Sequence, residues 1–435
     1  MDLESGLARG DAAVLVRHPS GELTCGAALA RARELAAELT RRGMHRVAVA
    51  SARADVLIPA LLACRRAGCE LLLLRSPLPV DDPAWHDWSV TGLLDDDLRL
   101  HPLAAPSASN PGFAILLATS GTTGKPKIAR HSIDALAGRI RFHLADAGQT
   151  RWLLTYHPAG FAGLQVLLTV LVSGAELIAA SESNVPELSR AALAHKPTHI
   201  SATPTFWRAL LMALGERAAE LPLRQITLGG EIVEQDLLDR LRAIYPHAGL
   251  THIYASTEAG ALFAVRDGAA GFPARWLEEA VDGVRLRIRD GELQALSPRA
   301  MLGYVAGTAR SPVDEDGWLH TGDLVARRGE RVYFLGRADN LISVGGAKLT
   351  PEEVEAVLLQ VPGVAEGRVF GVKNPITGYL VGAEIVPAPG VDPEVLRVAL
   401  LDAARAQLEP YKVPRLIRFA ASIRVSEMGK KDRSA

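Results

Sequence analysis

The sequence predicts an α/β fold: a large N-terminal domain of mixed, mostly parallel sheets flanked by helices, a small β-barrel-like subdomain, and a small α+β C-terminal domain. Three observations predict it. Strand-length apolar runs alternate with helix-length periodic runs between residues 27 and 74, as in a parallel sheet with crossover helices. The same rhythm resumes after residue 130 and continues to about 254. Beyond residue 270 apolar and polar residues alternate strictly, the pattern of half-buried antiparallel strands.

Residues 27–42 carry Leu29, Leu35, Leu39 and many alanines at helical spacing and stop near Gly43. Residues 46–50 then read as a strand, 55–66 as a helix and 70–74 as a second strand. Phe113 to Ala118 is another buried-strand run. Helices are expected around 132–146, 161–173, 187–195, 204–214 and 234–245, with strands around 152–156, 175–179, 198–201, 225–228 and 250–254. Residues 284–289 and 291–296 form a hairpin pattern, Pro102 to Pro111 reads as a flexible connection, and a domain boundary falls at Gly336 to Asp339.

Bulk properties narrow the function classes. The 435 residues suffice for two or three domains with ample core. With 48 basic and 49 acidic residues the net charge is −1, so no global field favours nucleic acid or an anionic membrane. Cys25, Cys64 and Cys69 are too few for a disulfide framework, and the last two read as small buried apolar residues. Residues 1–5 lack the basic-then-apolar start of a signal peptide. The apolar stretch Phe161 to Ala180 is interrupted by Gln165, Thr169, Ser173 and Glu176 and broken at Gly174, so it reads as core. A cytoplasmic protein with no membrane or nucleic-acid partner is expected.

The chemistry concentrates in a few motifs. After the strand ending at Ala118 comes Thr119-Ser-Gly-Thr-Thr-Gly-Lys-Pro-Lys127. Its backbone N–H groups, hydroxyls and ammonium groups are what a polyphosphate needs. It is not a Walker loop, since no Gly-Lys-Ser/Thr closes it. At Tyr254-Ala-Ser-Thr-Glu-Ala-Gly260 a strand ends in an aromatic that can stack on a purine, a hydroxyl (Thr257) that can bond phosphate, and a carboxylate (Glu258) that can ligate Mg²⁺. Leu228-Gly-Gly-Glu231 sits at another strand end, where Gly229 and Gly230 let a planar base approach the backbone. Asp323 closes Asp316-Gly-Trp-Leu-His-Thr-Gly-Asp323 as an acceptor suited to ribose hydroxyls, and Arg337 can add a charge-assisted bond to ribose or phosphate.

Together these segments resemble the adenylate-forming superfamily of acyl-CoA synthetases, peptide-synthetase adenylation domains and luciferases, in the right order from about residue 22 to 433 and with a shortened N-terminal part. The resemblance implies that Thr119, Ser120, Gly121, Thr122, Thr123, Gly124, Lys125 and Lys127 hold the phosphates of ATP. It assigns Gly230, Glu231 and Tyr254 to the base and Asp323 and Arg337 to the ribose. Glu258 with Mg²⁺, Thr257 and Lys430 become catalytic, Lys430 by matching the lysine of the Gly-Lys-x-x-Arg ending. It further implies an ATP- and acid-binding domain over 1–336, a hinge at 337–339 pivoting on Asp339, and a mobile C-terminal domain over 340–435 with CoA as second substrate.

His157, Phe161, Gly163, Gly229, Ala255 and Gly260 are the expected lining of the acid pocket. His157 either takes a pocket role or caps the following helix. Ala255 stands where the family usually has glycine, and no acid occurs between Arg151 and Glu176 to hold an α-ammonium group. An AMP-forming aryl- or acyl-CoA ligase of secondary metabolism is therefore expected. The alternative is a stand-alone adenylation enzyme passing its activated group to a carrier protein or an amine, diazotisation through activated nitrite included.

Overall fold

The computed structural model describes residues 2–104, 112–119, 126–138, 140, 149–305 and 311–423. Among them, an eight-stranded sheet runs in the order Gly260–Val265, Gly249–Ser256, Gln225–Gly229, His199–Ala202, Arg151–Leu153, Glu176–Ile178, Val14–His18 and Gly21–Thr24. The inner strands are parallel, and an antiparallel hairpin closes each end. A seven-stranded sheet holds Gly92–Leu94, Arg46–Ala50, Glu70–Leu74 and Ile115–Thr119 in parallel, with antiparallel strands at both margins.

Helices Cys25–Arg41, Ala54–Ala67 and Phe161–Ser173 pack between these sheets through one continuous apolar cluster that includes Leu39, Leu62, Leu71, Ile115 and Leu168. Each helix follows from its sequence. Thr24 caps the first by accepting from the Ala27 N–H, and Gly174, at φ +74°, ends the third. That glycine splits the apolar stretch into helix and strand, and no helix among the described residues is long and apolar enough to cross a membrane. Cys64 and Cys69 are free thiols at 0% exposure inside the cluster.

The hairpin expected at 284–296 is Arg285–Arg289 with Glu292–Leu296. With Leu319–Arg328 and Arg331–Arg337 it belongs to a five-stranded antiparallel sheet, which forms the expected small β subdomain. The sheet packs Phe272, Leu293, Leu319 and Val332 into one apolar cluster with Leu262, Phe263 and Val265 of the large sheet's edge strand. Residues 342–419 build a further five-stranded sheet backed by helices Pro351–Leu358 and Pro393–Gln407 around Val354, Val369 and Leu400. Pro102, Leu103 and Ala104 are described, and residues 105–111 of the expected connection lie outside the described residues.

Candidate active site

Two parallel strands of the eight-stranded sheet, Gln225–Gly229 and Gly249–Ser256, deliver their carboxyl ends side by side, with Gly229 opposite Ile253. Ligands of open α/β sheets bind at such edges. Gly230 adopts φ +84°, which turns the chain sharply after the first strand. The Glu231 carboxylate accepts a hydrogen bond from the Thr205 N–H at 3.0 Å, so part of its capacity goes to the first turn of helix Pro204–Leu214.

Tyr254 sits against Phe334 and Phe263, with ring centroids 4.6 and 5.3 Å away. Its hydroxyl donates to Asp323 Oδ2. Burial, and then the Asp323 charge, push the phenol well above its ordinary pKa, so it stays a donor. Asp323 and Arg337 face each other across adjacent strands, and Arg337 Nη1 lies 3.4 Å from Asp323 Oδ1 and donates to the Thr321 carbonyl at 3.0 Å. Arg337 Nε donates to Asp339 Oδ1 at 2.9 Å. Burial works against the Arg337 charge, but Asp339 and Asp323 outweigh it and raise its pKa. Burial would raise the Asp339 carboxyl, yet Arg337 and the more distant charge of Lys127 hold it below the usual range. Gly322, at φ +73°, leaves the space Arg337 crosses: a Cβ there would lie 2.8 Å from its guanidinium.

The Glu258 turn is pinned from beneath. The Ser256 hydroxyl accepts from the Ala259 N–H at 3.0 Å, the Met301 N–H donates to the Glu258 carbonyl at 2.8 Å, and the Tyr304 hydroxyl donates to Glu258 Oε1 at 2.9 Å. Burial first, then the Glu258 charge, raise the Tyr304 phenol above its ordinary pKa. Glu258 Oε2 accepts no hydrogen bond among the described residues. Those residues hold no group of three or more His, Cys, Asp or Glu side chains that could cage a metal. One carboxylate with a spare oxygen fits Mg²⁺, which is ordinarily held by one or two carboxylates together with substrate phosphates.

Thr119 and Lys127 end the two strands flanking the phosphate loop, and the Thr119 hydroxyl donates to the Lys127 carbonyl at 3.3 Å. Ser120, Gly121, Thr122, Thr123, Gly124, Lys125 and Lys430 lie outside the described residues.

Residues 74–305 match the family model described as AMP-binding enzyme, and residues 353–430 the one described as AMP-binding enzyme C-terminal domain. The chain belongs to the AMP-binding enzymes. It is similar to a probable 2-succinylbenzoate–CoA ligase of Mycobacterium tuberculosis, 32% identical over 333 residues that cover 74% of this chain and 83% of that protein. It is also similar to a feruloyl-CoA synthase of an Amycolatopsis species, 28% identical over 471 aligned positions covering 96% of this chain and 94% of that one. In fold it resembles an anthranilate–CoA ligase in complex with anthranoyl-AMP, with a TM-score of 0.78, 18% identity, and coverage of 99% of this chain and 95% of that one. The expected AMP-forming ligase of the adenylate-forming superfamily is thus what this chain is.

In this AMP-binding enzyme the expected pocket residues divide into two kinds. Phe161 starts its helix, half-buried against the central core, with its ring 6.2 Å from that of His131. Ala255 lies at a bulge opposite Ala261. The other residues have local duties. His157 Nδ1 accepts from the Ala159 N–H at 3.2 Å, within the turn that enters the helix. A Cβ on Gly163 would lie 2.2 Å from the His157 carbonyl, and one on Gly260 2.3 Å from the Arg299 carbonyl, so close backbone packing demands glycine at both. A Cβ on Gly229 would lie 3.3 Å from the Ile253 carbonyl, so that position has more room.

Sequence reasoning missed Tyr304, Arg299 and His131. His131 is 0% exposed, beside the Thr257 backbone, and burial lowers its pKa to about 4. No local pattern marks these residues, since only the fold brings them to the site. Surface hollows at Lys373 to Tyr379 and between His18 and His195 lie elsewhere.

Proposed function

We propose that this AMP-binding enzyme activates a carboxylic acid with ATP and passes the acyl group to CoA, the acid being an aryl or other apolar non-amino acid of secondary metabolism. The observation that carries the reading is Asp323, set between the Tyr254 hydroxyl and Arg337 at the carboxyl edge of the large sheet. A nucleoside placed there would stack on Tyr254, offer its ribose hydroxyls to Asp323, and aim its phosphates at the loop of residues 119–127.

The substrate carboxylate is ionised at neutral pH, so no general base is needed. One of its oxygens attacks the α-phosphorus in line. The new O–P bond forms as the bond to the β-phosphate oxygen breaks, and pyrophosphate leaves. Developing charge is met by the loop donors and Lys430. Mg²⁺, with Glu258 to hold it, would supply charge neutralisation at the phosphate oxygens. In the second half the CoA thiol adds to the acyl carbonyl, AMP departs, and the thiol proton goes to solvent. The chain would divide into residues 1–336, a hinge at 337–339 and a mobile domain over 340–435, turning about Asp339 to present Gly345 and Gly346 to the thiol. Both adopt positive φ, +59° and +89°, on an open turn with nothing near a Cβ.

Aryl selectivity is supported by Phe161 beside the buried His131, by the lack of any acid between Arg151 and Glu176, and by the aryl substrates named for two relatives. An α-ammonium group would enter this pocket without a counter-charge. Pyrophosphate release measured over a panel of acids, with and without CoA, tests the reading. Release that depends on an aryl acid, with acyl-CoA formed when CoA is added, is expected. Turnover confined to α-amino acids would contradict it, and acyl transfer only to a carrier protein or an amine would select the alternative acceptor.

A further inference from the structure

The turn carrying Glu258 rests on one short segment, residues 297–305, that the motifs did not single out. The Ser297 hydroxyl donates to the Ala259 carbonyl at 3.1 Å. Arg299, 9% exposed, spreads its guanidinium over three carbonyls: Ala261 at 2.6 Å, Leu262 at 2.8 Å and Asp282 at 2.8 Å. The Met301 N–H holds the Glu258 carbonyl. The segment then joins the strand that leaves the phosphate loop. The Leu302 N–H donates to the Arg130 carbonyl at 2.7 Å, Tyr304 faces Ala129, and the Val305 N–H donates to the Ile128 carbonyl at 2.8 Å. One strap therefore ties the carboxylate turn to the strand that begins at Lys127.

Tyr304 is the side chain of that strap that reaches the carboxylate itself. We propose that Tyr304 is a positioning residue for the metal carboxylate: its hydroxyl holds Glu258 Oε1 and leaves Oε2 available to a divalent cation. The inference rests on the proposed function, in which Glu258 serves Mg²⁺. The physical reason is orientation. A glutamate at a strand end has free rotation about its last carbon–carbon bond, and a fixed donor on one oxygen removes it before the metal arrives. Because the donor sits on a strand bonded to the strand that begins at Lys127, the same contact ties the carboxylate to the loop's exit. Partners of this kind are worth about 10- to 100-fold in metal affinity.

The experiment uses the full-length chain, Mn²⁺ as a paramagnetic probe, and a non-hydrolysable ATP analogue. Tyr304→Phe keeps the ring and removes the hydroxyl. It is expected to weaken Mn²⁺ binding in the ternary complex about 10-fold and to raise the KM for Mg²⁺ in pyrophosphate release similarly. The KM for the acid should stay native, the melting temperature should fall by no more than a few degrees, and kcat should recover at saturating Mg²⁺. In a Glu258→Gln background the same change should have no further effect on Mn²⁺ binding. Native Mn²⁺ affinity in Tyr304→Phe, alongside a clear loss in Glu258→Gln, would overturn the role of Tyr304 and leave that of Glu258 intact. A loss that adds in full on top of Glu258→Gln would also overturn it, because the hydroxyl would then act elsewhere. Native affinity in Glu258→Gln would remove the metal reading and this inference with it.

Discussion

The Glu258 turn and the Asp323–Arg337–Asp339 cluster lie in one site and are held in opposite ways. Around Glu258 the contacts are mostly hydrogen bonds made to backbone groups, three of them from the buried Arg299 guanidinium, with Ala259 at 0% and Arg299 at 9% exposure. Around Arg337 they are ion pairs half open to water: the side chains of Arg337 and Asp339 are 43% and 49% exposed. A buried network is costly to disturb, because each broken bond leaves a polar group unsatisfied. An exposed ion pair contributes about 0–1 kcal/mol and exchanges partners freely. The difference suits the proposed division of labour. In that proposal a fixed turn would present charge to the phosphates, while an exchangeable cluster would take up the ribose and allow the chain to turn at Asp339.

The largest effect expected belongs to neither region. Lys430→Ala should lower acyl-adenylate formation by about 10²–10³-fold, the usual loss when one donor to a developing charge is removed. Thioester formation from a supplied acyl-adenylate should be largely spared. Pyrophosphate release and thiol consumption, followed separately, check this, with Lys431→Ala staying near native. Next comes Asp323→Ala. Charged hydrogen bonds are worth about 1.5–3 kcal/mol, so ATP affinity should fall about 10- to 100-fold while acid affinity changes little. Equilibrium titration with ATP reads this directly, and an unchanged affinity would take Asp323 out of the site.

A smaller effect comes from His131. Burial holds its pKa near 4 in the folded chain, against about 6.5 when unfolded. Its contribution to stability is full above pH 6.5. As pH falls towards 4 the unfolded chain takes up a proton that the native chain refuses, so stability is lost across that window, by up to about 3 kcal/mol. Denaturant titrations at pH 7.5 and 5 should show a shallower fall for His131→Leu than for the native chain. Buried His252 is shifted in the same direction and keeps part of the slope in both. Least of all, Asp339→Ala should change stability by no more than about 1 kcal/mol. It should leave adenylation nearly intact and slow the thioester half-reaction. A large loss of stability would erase the contrast between the two regions.

Much of the fold was legible because apolar periodicity is local. The helices at 161–173 and 204–214 and the strand at 46–50 appear with the expected limits. Long-range pairing was not legible. The hairpin of Val14–His18 and Gly21–Thr24 completes the large sheet by running beside Glu176–Ile178, a partner no local pattern names. The strand Lys127–His131 looks polar, yet it pairs on both sides, and Arg130 is spent on the fully buried Glu70. In the site, the motifs named Tyr254, Asp323 and Arg337, and the fold brings them into one network. A glycine for close packing and a glycine for a ligand look alike in sequence, and at Gly163 and Gly260 the fold shows that neighbouring carbonyls leave no room for a Cβ. Tyr304 and His131 gave no signal because their meaning comes from neighbours far away in the chain.

In the proposed reaction ATP is cleaved between its α- and β-phosphates by a carboxylate. Incubating the native enzyme with Mg²⁺, α-labelled ATP and an aryl acid, without CoA, tests it most directly. The expected result is label in an enzyme-bound acyl-AMP, with one pyrophosphate released for each one formed, and transfer of the label to AMP when CoA is added. Label recovered as ADP, with the acid carrying a phosphate in place of AMP, would contradict it.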